Sequence, residues 1–291
     1  MEALMNICMR QCLMSTPTNR KTPIRENTLI GVFLWKNLYD TIRIMHVTGN
    51  FFLIFQSSFI LEYKKEEQRE DMKLKKEMNK RMVAGIACLA AFAVWTILIK
   101  TVDVQPLGQK GTDIGFAALN VWFHQLTGVH MTLYVITDWL GLAPVIICLM
   151  FGLLGLIQLF KRRNILKVDR DLLILGIYYV IVILGYLVFE MIPINYRPIL
   201  IEGRLEASYP SSTTLLVMSV LPTLTEQINR RVKKSGVKRW IDMAAGCFTA
   251  FMVAARTISG VHWFTDIAGS VMLSAGLFCV YKAFVLKCIE E

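Results

Sequence analysis

Apolar stretches alternate with short charged segments along most of this chain. Most of the stretches are long enough for a helix to cross the apolar part of a bilayer, which takes about 20 residues. The fourth is shorter and partly polar. The pattern therefore predicts an all-α, polytopic membrane protein with six spans, at residues 82–99, 134–160, 172–192, 213–224, 241–255 and 261–284.

The first 81 residues differ from the rest. Residues 47–61 are apolar but interrupted by polar side chains, and 13 of the 18 residues in 64–81 are charged, which predicts a solvated helix or a linker. Met72 opens a basic segment directly before the first span and resembles a natural start. We therefore predict an N-terminal extension at 1–71 that is unrelated to the core function, and a six-helix membrane domain at 72–291.

The composition narrows the class of protein. Hydrophobic residues make up 55% of the 291, and the mean hydropathy is +0.49, which is too apolar for a soluble domain. The net charge of +10 comes from clusters between the spans, and no nucleic-acid-binding pattern is present. Seven cysteines show no CxxC spacing, so neither a metal site nor a secreted disulfide framework is predicted.

The same clusters predict the orientation in the membrane. With the core's amino end placed inside, the inner segments hold eighteen Lys and Arg residues and the outer segments hold five. Cytoplasmic segments carry the excess of cations. We therefore expect an integral protein of a bacterial plasma membrane with both ends of its core in the cytoplasm. Between the first two spans, the aromatic-rich piece FAALNVWFHQLTGVH predicts a short interfacial helix.

Candidate chemistry concentrates in the stretch RTISGVHWFTDIAG, which holds Arg256, His262 and Asp266. On a helix, residues four apart share a face, so Asp266 could accept one imidazole N–H of His262 and leave the other nitrogen basic. That arrangement prepares a nucleophile. Arg256 could bind an oxyanion at the same point. An ordinary helix cap with an ion pair explains these residues as well, although charges beside a membrane span are usually functional.

Further anion-binding groups fall on the same predicted face. Arg197 and Arg204 follow the third span, and the run 210–214, PSSTT, opens the fourth. A helix start with hydroxyls and free N–H groups binds anions well. Each piece has a plainer reading as a cap, a turn or a lipid-headgroup contact. Together they predict a phosphate pocket with a nucleophile.

The pattern resembles the type 2 phosphatidic acid phosphatases, also called the PAP2 and haloperoxidase superfamily. Its signature is K-x6-R-P, then P-S-G-H, then S-R-x5-H-x3-D on a six-helix core, and the resemblance covers roughly residues 82–284. It implies that His262 attacks phosphorus to form a phosphohistidine and that Asp266 orients it. It also implies phosphate binding by the following residues: Arg197, Arg256, Ser211, Ser212 and Thr213.

Two of the chain's departures from that signature bear on the chemistry. Glu190 stands where the first motif has lysine, and Thr213 stands where the second has the histidine that protonates the leaving group. A hydroxyl is too weak an acid for that task. Arg204 could compensate for the lost lysine charge, and Glu190 could instead pair with an arginine. The candidate substitute acids are Glu190, Glu202, Glu206, His124 and His130.

These residues predict a membrane phosphatase that removes phosphate from a lipid phosphate or diphosphate at the extracytoplasmic face. We expect no cofactor and no metal, and we expect the bilayer and a lipid phosphate as partners, with no nucleic acid. A non-catalytic lipid-phosphate-binding relative is the alternative, supported by Glu190 and Thr213. A lipid phosphotransferase would share the phosphohistidine and differ only in the acceptor.

Overall fold

The computed structural model describes residues 49–290, with side chains from residue 59 to residue 288. Most of the predicted N-terminal extension therefore lies outside the described residues. The chain divides between Gln68 and Arg69, and the predicted boundary after residue 71 stays a prediction. All elements that position the site belong to the unit Arg69–Glu291.

The described residues are almost entirely helical. Isolated bridges such as Tyr196 with Ala207 are their only β pairing. The α-helices are α1 (Gly49–Thr101), α2 (Ala117–Thr127), α3 (Met131–Leu140), α4 (Leu142–Arg162), α5 (Arg170–Met191), α6 (Ser212–Arg231), α7 (Ser235–Ile258) and α8 (Phe264–Glu290). The all-α prediction is confirmed, and α2 is the short helix expected from the aromatic-rich piece.

Five segments are long and apolar enough to cross a membrane. They are Phe59–Thr101, Met131–Arg162, Arg170–Met191, Ser235–Ile258 and Phe264–Cys288. The predicted count of six is not confirmed, because α6, which contains the predicted fourth span, is not among them.

The polarity of α6 has a structural reason. It packs against α4, α5, α7 and α8, so its polar side chains face protein rather than lipid. Thr223, for example, is fully buried and bonds the hydroxyl of Tyr179 at 2.8 Å. Gln227 likewise donates to the hydroxyl of Tyr281 at 3.0 Å. Buried polar pairs of this kind lower the hydropathy of a helix without exposing it.

The candidate site lies at one end of the bundle. The start of α8 is tied to the C-terminal part of α1, because Trp95 Nε1 donates to the carbonyl of Thr265 at 3.2 Å. It is tied to the start of α6, because the Ser211 N–H points at the carbonyl of Asp266 at 3.4 Å. The long loops 102–116 and 192–211 lie at this end. The opposite end carries ion pairs such as Arg231 with Asp171, at 2.9 Å.

Candidate active site

His262 lies in the turn between α7 and α8. Helix α7 ends at Ile258 and α8 begins at Phe264, so His262 and Asp266 do not share a helix as the spacing predicted. Gly260 makes the turn possible with φ = 72°, a conformation that favours glycine. A Cβ at Gly260 would come within 2.1 Å of the carbonyl oxygen of Gly128. This contact holds the turn against the segment that follows α2.

The imidazole of His262 is buried, with 4% of the residue exposed. Its Nδ1 lies 3.0 Å from the backbone carbonyl oxygen of Ser208. Because a carbonyl can only accept, Nδ1 carries the proton and Nε2 carries the lone pair. Nε2 has no hydrogen-bond partner among the described residues. The ring therefore presents a free basic nitrogen.

Asp266 does not accept an imidazole N–H of His262, although the sequence predicted that it would. Its Oδ2 lies 3.7 Å from His262 Nδ1, beyond hydrogen-bond distance. The carboxylate instead accepts the backbone N–H of Trp263 at 2.9 Å and faces the side-chain amide of Asn195 at 3.3 Å. Asp266 is fully buried. It holds the turn in shape and places a negative charge beside the ring.

Arg197 comes from the loop between α5 and α6. Its Nε lies 3.0 Å from a carboxylate oxygen of Glu206 without the alignment of a hydrogen bond, and Nη1 has no partner. The loop places both side chains together, because the Arg197 N–H donates to the Glu206 carbonyl at 3.0 Å. Arg197 therefore retains donors for an anion.

Arg256, in the last turn of α7, is 1% exposed. Its guanidinium carbon lies 4.8 Å from the centre of the Tyr134 ring, and that of Arg197 lies 6.0 Å from the same centre. Arg256 also donates to Thr137 Oγ1 at 3.1 Å and lies 3.6 Å from Asp138. Helix α3 thus holds this guanidinium, and the ring of Tyr134 connects the two arginines.

The side chains at this end of the bundle enclose a cavity of 260 Å³. Buried polar atoms without partners among the described residues gather here: Arg197 Nε and Nη1, Ser208 Oγ, His262 Nε2 and, on the neighbouring arginine, Arg256 Nε. Unpaired buried polar atoms are costly, and a cluster of donors around a basic nitrogen suits a bound anion. The lining residues are Tyr186, Glu190, Arg197, Glu206, Ala207, Ser208, Tyr209, Pro210, Ser212 and His262.

The predicted anion-binding residues divide into two groups. Arg197 and Ser212 line the cavity with His262. Ser211 and Thr213 are buried but are not among its lining residues, and Ser211 Oγ donates to Thr214 Oγ1 at 3.1 Å. Arg204 is exposed in the loop and also lies outside the lining.

The candidate substitute acids divide in the same way. Glu190 and Glu206 line the cavity, whereas Glu202 is exposed elsewhere in the loop. His124 Nε2 lies 3.1 Å from the Gly260 carbonyl, and His130 Nε2 lies 2.8 Å from the Thr127 carbonyl. Neither histidine lines the cavity. Of the candidate acids, only the carboxylates of Glu190 and Glu206 therefore line the cavity.

Burial lowers the pKa of His262 to about 4. The Asp266 carboxylate opposes this shift, and the positive charges of Arg197 and Arg256 add to it. The ring is therefore neutral at pH 7, which keeps the Nε2 lone pair available. The two arginines act on His262 from close by, and their role as a phosphate clamp stays a prediction.

Three contributors were not predicted from the sequence. Ser208 acts through its backbone carbonyl, which a side-chain pattern does not reveal. Tyr134 lies more than a hundred residues before Arg256, and only the packing of α3 against α7 brings them together. Asn195 is 1% exposed and contacts Asp266. Its position in NYRP beside Arg197 was the available signal.

Comparisons with known proteins concern the family and the fold. Residues 172–290 match the family model described as PAP2 superfamily. A crystal structure of the first transmembrane PAP2 type phosphatidylglycerolphosphate phosphatase, from Bacillus subtilis, is similar with a TM-score of 0.52 and 17% sequence identity. The match covers 70% of this chain and 96% of that chain. A comparison with curated proteins found no match.

The matched residues run from the start of α5 to the end of α8 and include Arg197, Arg256, His262 and Asp266. The similar crystal structure agrees in fold over most of the described core. With the five apolar segments, these findings confirm the resemblance stated from the sequence. The chain is an integral membrane protein with the fold of a membrane PAP2 protein, and its residues 172–290 match the PAP2 superfamily model.

Proposed function

We propose that this protein hydrolyses a lipid phosphate or lipid diphosphate through a phosphohistidine on His262. The observation that carries the proposal is the buried, unpartnered Nε2 of His262 in a cavity that also holds unpaired donors of Arg197. A neutral imidazole with a fixed tautomer and a guanidinium beside it suits attack on phosphorus. The family match supports a phosphatase-type reaction.

The first chemical step forms a bond between Nε2 and phosphorus. The P–O bond to the leaving group breaks, and the electron pair departs on that oxygen. The ring becomes positively charged, and the Ser208 carbonyl on Nδ1–H and the Asp266 carboxylate at 3.7 Å stabilise that charge. Water then attacks phosphorus, the N–P bond breaks, and the electron pair returns to Nε2 with release of phosphate.

The leaving group determines how much acid catalysis the first step needs. An alkoxide must take up a proton, whereas a phosphate leaving a diphosphate is stable as an anion. Thr213 lies outside the cavity lining, and of the candidate acids only Glu190 and Glu206 line it. Lipid diphosphates therefore need the least help from this site, and a protonated carboxyl would serve a monoester.

The orientation follows from the distribution of cations. The site lies at the end of the bundle whose segments hold five Lys and Arg residues, and the other end holds eighteen. The positive-inside rule then directs the site outward. We propose that the substrate is drawn from the outer leaflet of a bacterial plasma membrane.

The test is phosphate release by the protein purified in detergent, from phosphatidate and from a prenyl diphosphate. We expect release by the wild type and none above buffer by His262→Ala. His130→Ala is the matched control, because that ring bonds a carbonyl in its own turn and lies outside the cavity lining. Equal release by wild type and His262→Ala would refute the proposed nucleophile.

A non-catalytic lipid-phosphate binder is the second candidate. Glu206 beside Arg197 favours it, because that carboxylate competes with a phosphate for the guanidinium. Absence of turnover on the whole substrate panel, with binding that is lost in Arg197→Gln, would select the binder. Transfer of phosphate to an added alcohol at the expense of hydrolysis would select a phosphotransferase.

A further inference from the structure

Glu190 stands apart from the other charged groups of the cavity. It lies on α5 one helical turn after Tyr186, and both side chains line the cavity. Glu206 has Arg197 at 3.0 Å. No Lys, Arg or His side chain among the described residues lies within ion-pair distance of Glu190. Among the described residues, the exposed carboxylate of Glu190 therefore has no cationic partner.

The charged side chains around the cavity carry no net positive charge before anything binds. Arg197 contributes one positive charge to the lining and Arg256 another from behind it, whereas Glu190 and Glu206 contribute two negative charges to the lining and Asp266 a third beside His262. A simple phosphate would add up to two further negative charges. Like charges in one site disfavour each other, so such a ligand fits this cavity poorly.

We propose that the cavity selects lipid phosphates that carry an ammonium group next to the phosphate, with Glu190 and Tyr186 binding the ammonium. This inference rests on the proposed function, in which Arg197 and His262 receive the phosphate. A carboxylate beside an aromatic ring is a common binding arrangement for ammonium groups. The ammonium charge offsets that of Glu190, and the donors without partners bind the phosphate.

A divalent cation is a less suitable counter-ion for Glu190. Calcium and magnesium take six or more oxygen ligands. Among the described residues, no group of three or more His, Cys, Asp or Glu side chains is placed to hold a metal ion. A primary ammonium needs only three acceptors, which a carboxylate, a tyrosine hydroxyl and the substrate's own phosphate supply.

The test uses two probes that differ mainly in this charge: sphingosine 1-phosphate, which has an ammonium beside its phosphate, and its N-acetyl derivative, which does not. Phosphate release and binding in detergent are measured for wild type, Glu190→Gln and His262→Ala. The matched control is Glu202→Gln, an exposed carboxylate of the 192–211 loop outside the cavity lining.

We expect wild type to prefer the ammonium probe by about tenfold in kcat/KM, the size of one hydrogen bond between charged groups. Glu190→Gln should lose this preference, and Glu202→Gln should keep it. Equal rates on both probes, the same loss on both in Glu190→Gln, or a preference that appears only with Mg²⁺ would overturn the inference.

The two proposals fail in distinguishable ways. If no probe and no phosphatidate is hydrolysed, the proposed function fails, and binding then decides the inference. His262→Ala should still bind the ammonium probe more tightly than its N-acetyl derivative. If phosphatidate and both probes are hydrolysed at similar rates, the function stands and the inference is wrong.

Discussion

The backbone carbonyl of Ser208, 3.0 Å from Nδ1 of His262, determines which nitrogen of the buried ring carries the proton. In this arrangement the tautomer does not depend on a carboxylate. Asp266 lies near enough to stabilise a charged ring, at 3.7 Å, but it is not the hydrogen-bond acceptor. The division of these two tasks leads to a prediction about Asp266.

Asp266→Asn should reduce kcat without abolishing it, by about 10- to 100-fold, the size of one charge-assisted interaction. The ring keeps its tautomer through Ser208, and an amide oxygen can still accept the Trp263 N–H. The measurement is single-turnover phosphate release beside His262→Ala. An Asp266→Asn enzyme as inactive as His262→Ala would show that the carboxylate also sets the tautomer.

The ring of His262 should remain neutral down to about pH 4. Burial and the two arginines lower its pKa, so a proton binds only well below the ordinary value near 6.5. The chain has four histidines, and nitrogen NMR of histidine-labelled protein can follow each, with His262→Ala assigning the signal. Titration of that signal near pH 6.5 would contradict the buried, unprotonated ring.

Arg197→Gln should raise the pKa of His262 above that of the wild type. The positive charge of Arg197 disfavours the protonated ring, and removing that charge removes the penalty. The same NMR titration measures the change. Arg204→Gln is the matched control, because Arg204 is exposed and outside the cavity lining. Identical titrations of both variants would place Arg197 too far from the ring to act on it.

We expect the aromatic ring of Tyr134, and not its hydroxyl, to contribute to binding of a lipid phosphate. The Arg256 guanidinium lies 4.8 Å from the ring centre, and such a contact is worth about 1–2 kcal/mol when it is desolvated. Tyr134→Phe should therefore keep its KM for a lipid phosphate, and Tyr134→Leu should raise KM by about 5- to 30-fold. Similar KM values for the two variants would show that the aromatic ring of Tyr134 does not contribute to substrate binding.

Gly260→Ala should destabilise the protein and disturb His262. An added Cβ would overlap the Gly128 carbonyl oxygen, and φ at this position is 72°, a conformation that costs other residues about 1 kcal/mol or more. A clear fall in the midpoint of thermal unfolding is expected. Gly246→Ala, inside α7, where a Cβ meets nothing within 4 Å, should not lower it. Equal midpoints for wild type and Gly260→Ala would mean that the turn can shift enough to accommodate the added Cβ.

Much of the site was predictable because the third motif is compact in sequence. The spacing of Arg256, His262 and Asp266 predicted that they would act together, and the structure places all three at one end of the bundle. The spacing also predicted a shared helix, which was wrong for His262. The φ of Gly260 ends the helical path there, and a glycine in sequence does not reveal the sign of φ.

The rest of the site depends on tertiary packing. The fourth membrane span was predicted at 213–224 as short and partly polar, but α6 is longer and lies among four other helices. Its polar residues are buried against these helices, which the sequence pattern does not reveal. The first motif identified Glu190 only as the residue that replaces its lysine. Its place in the cavity beside Tyr186 became visible only once the end of α5 was positioned.

The close approach of Gly260 to Gly128 limits how a lipid headgroup can arrive. With backbone against backbone, the His262 turn cannot swing outward alone to admit a bulky molecule. Another part of the cavity wall, formed by the end of α5 and the 192–211 loop, shows no such backbone contact at its glycines, because a Cβ at Gly185 or Gly203 meets nothing within 4 Å. The backbone contact that fixes the cavity wall therefore lies on the His262 side.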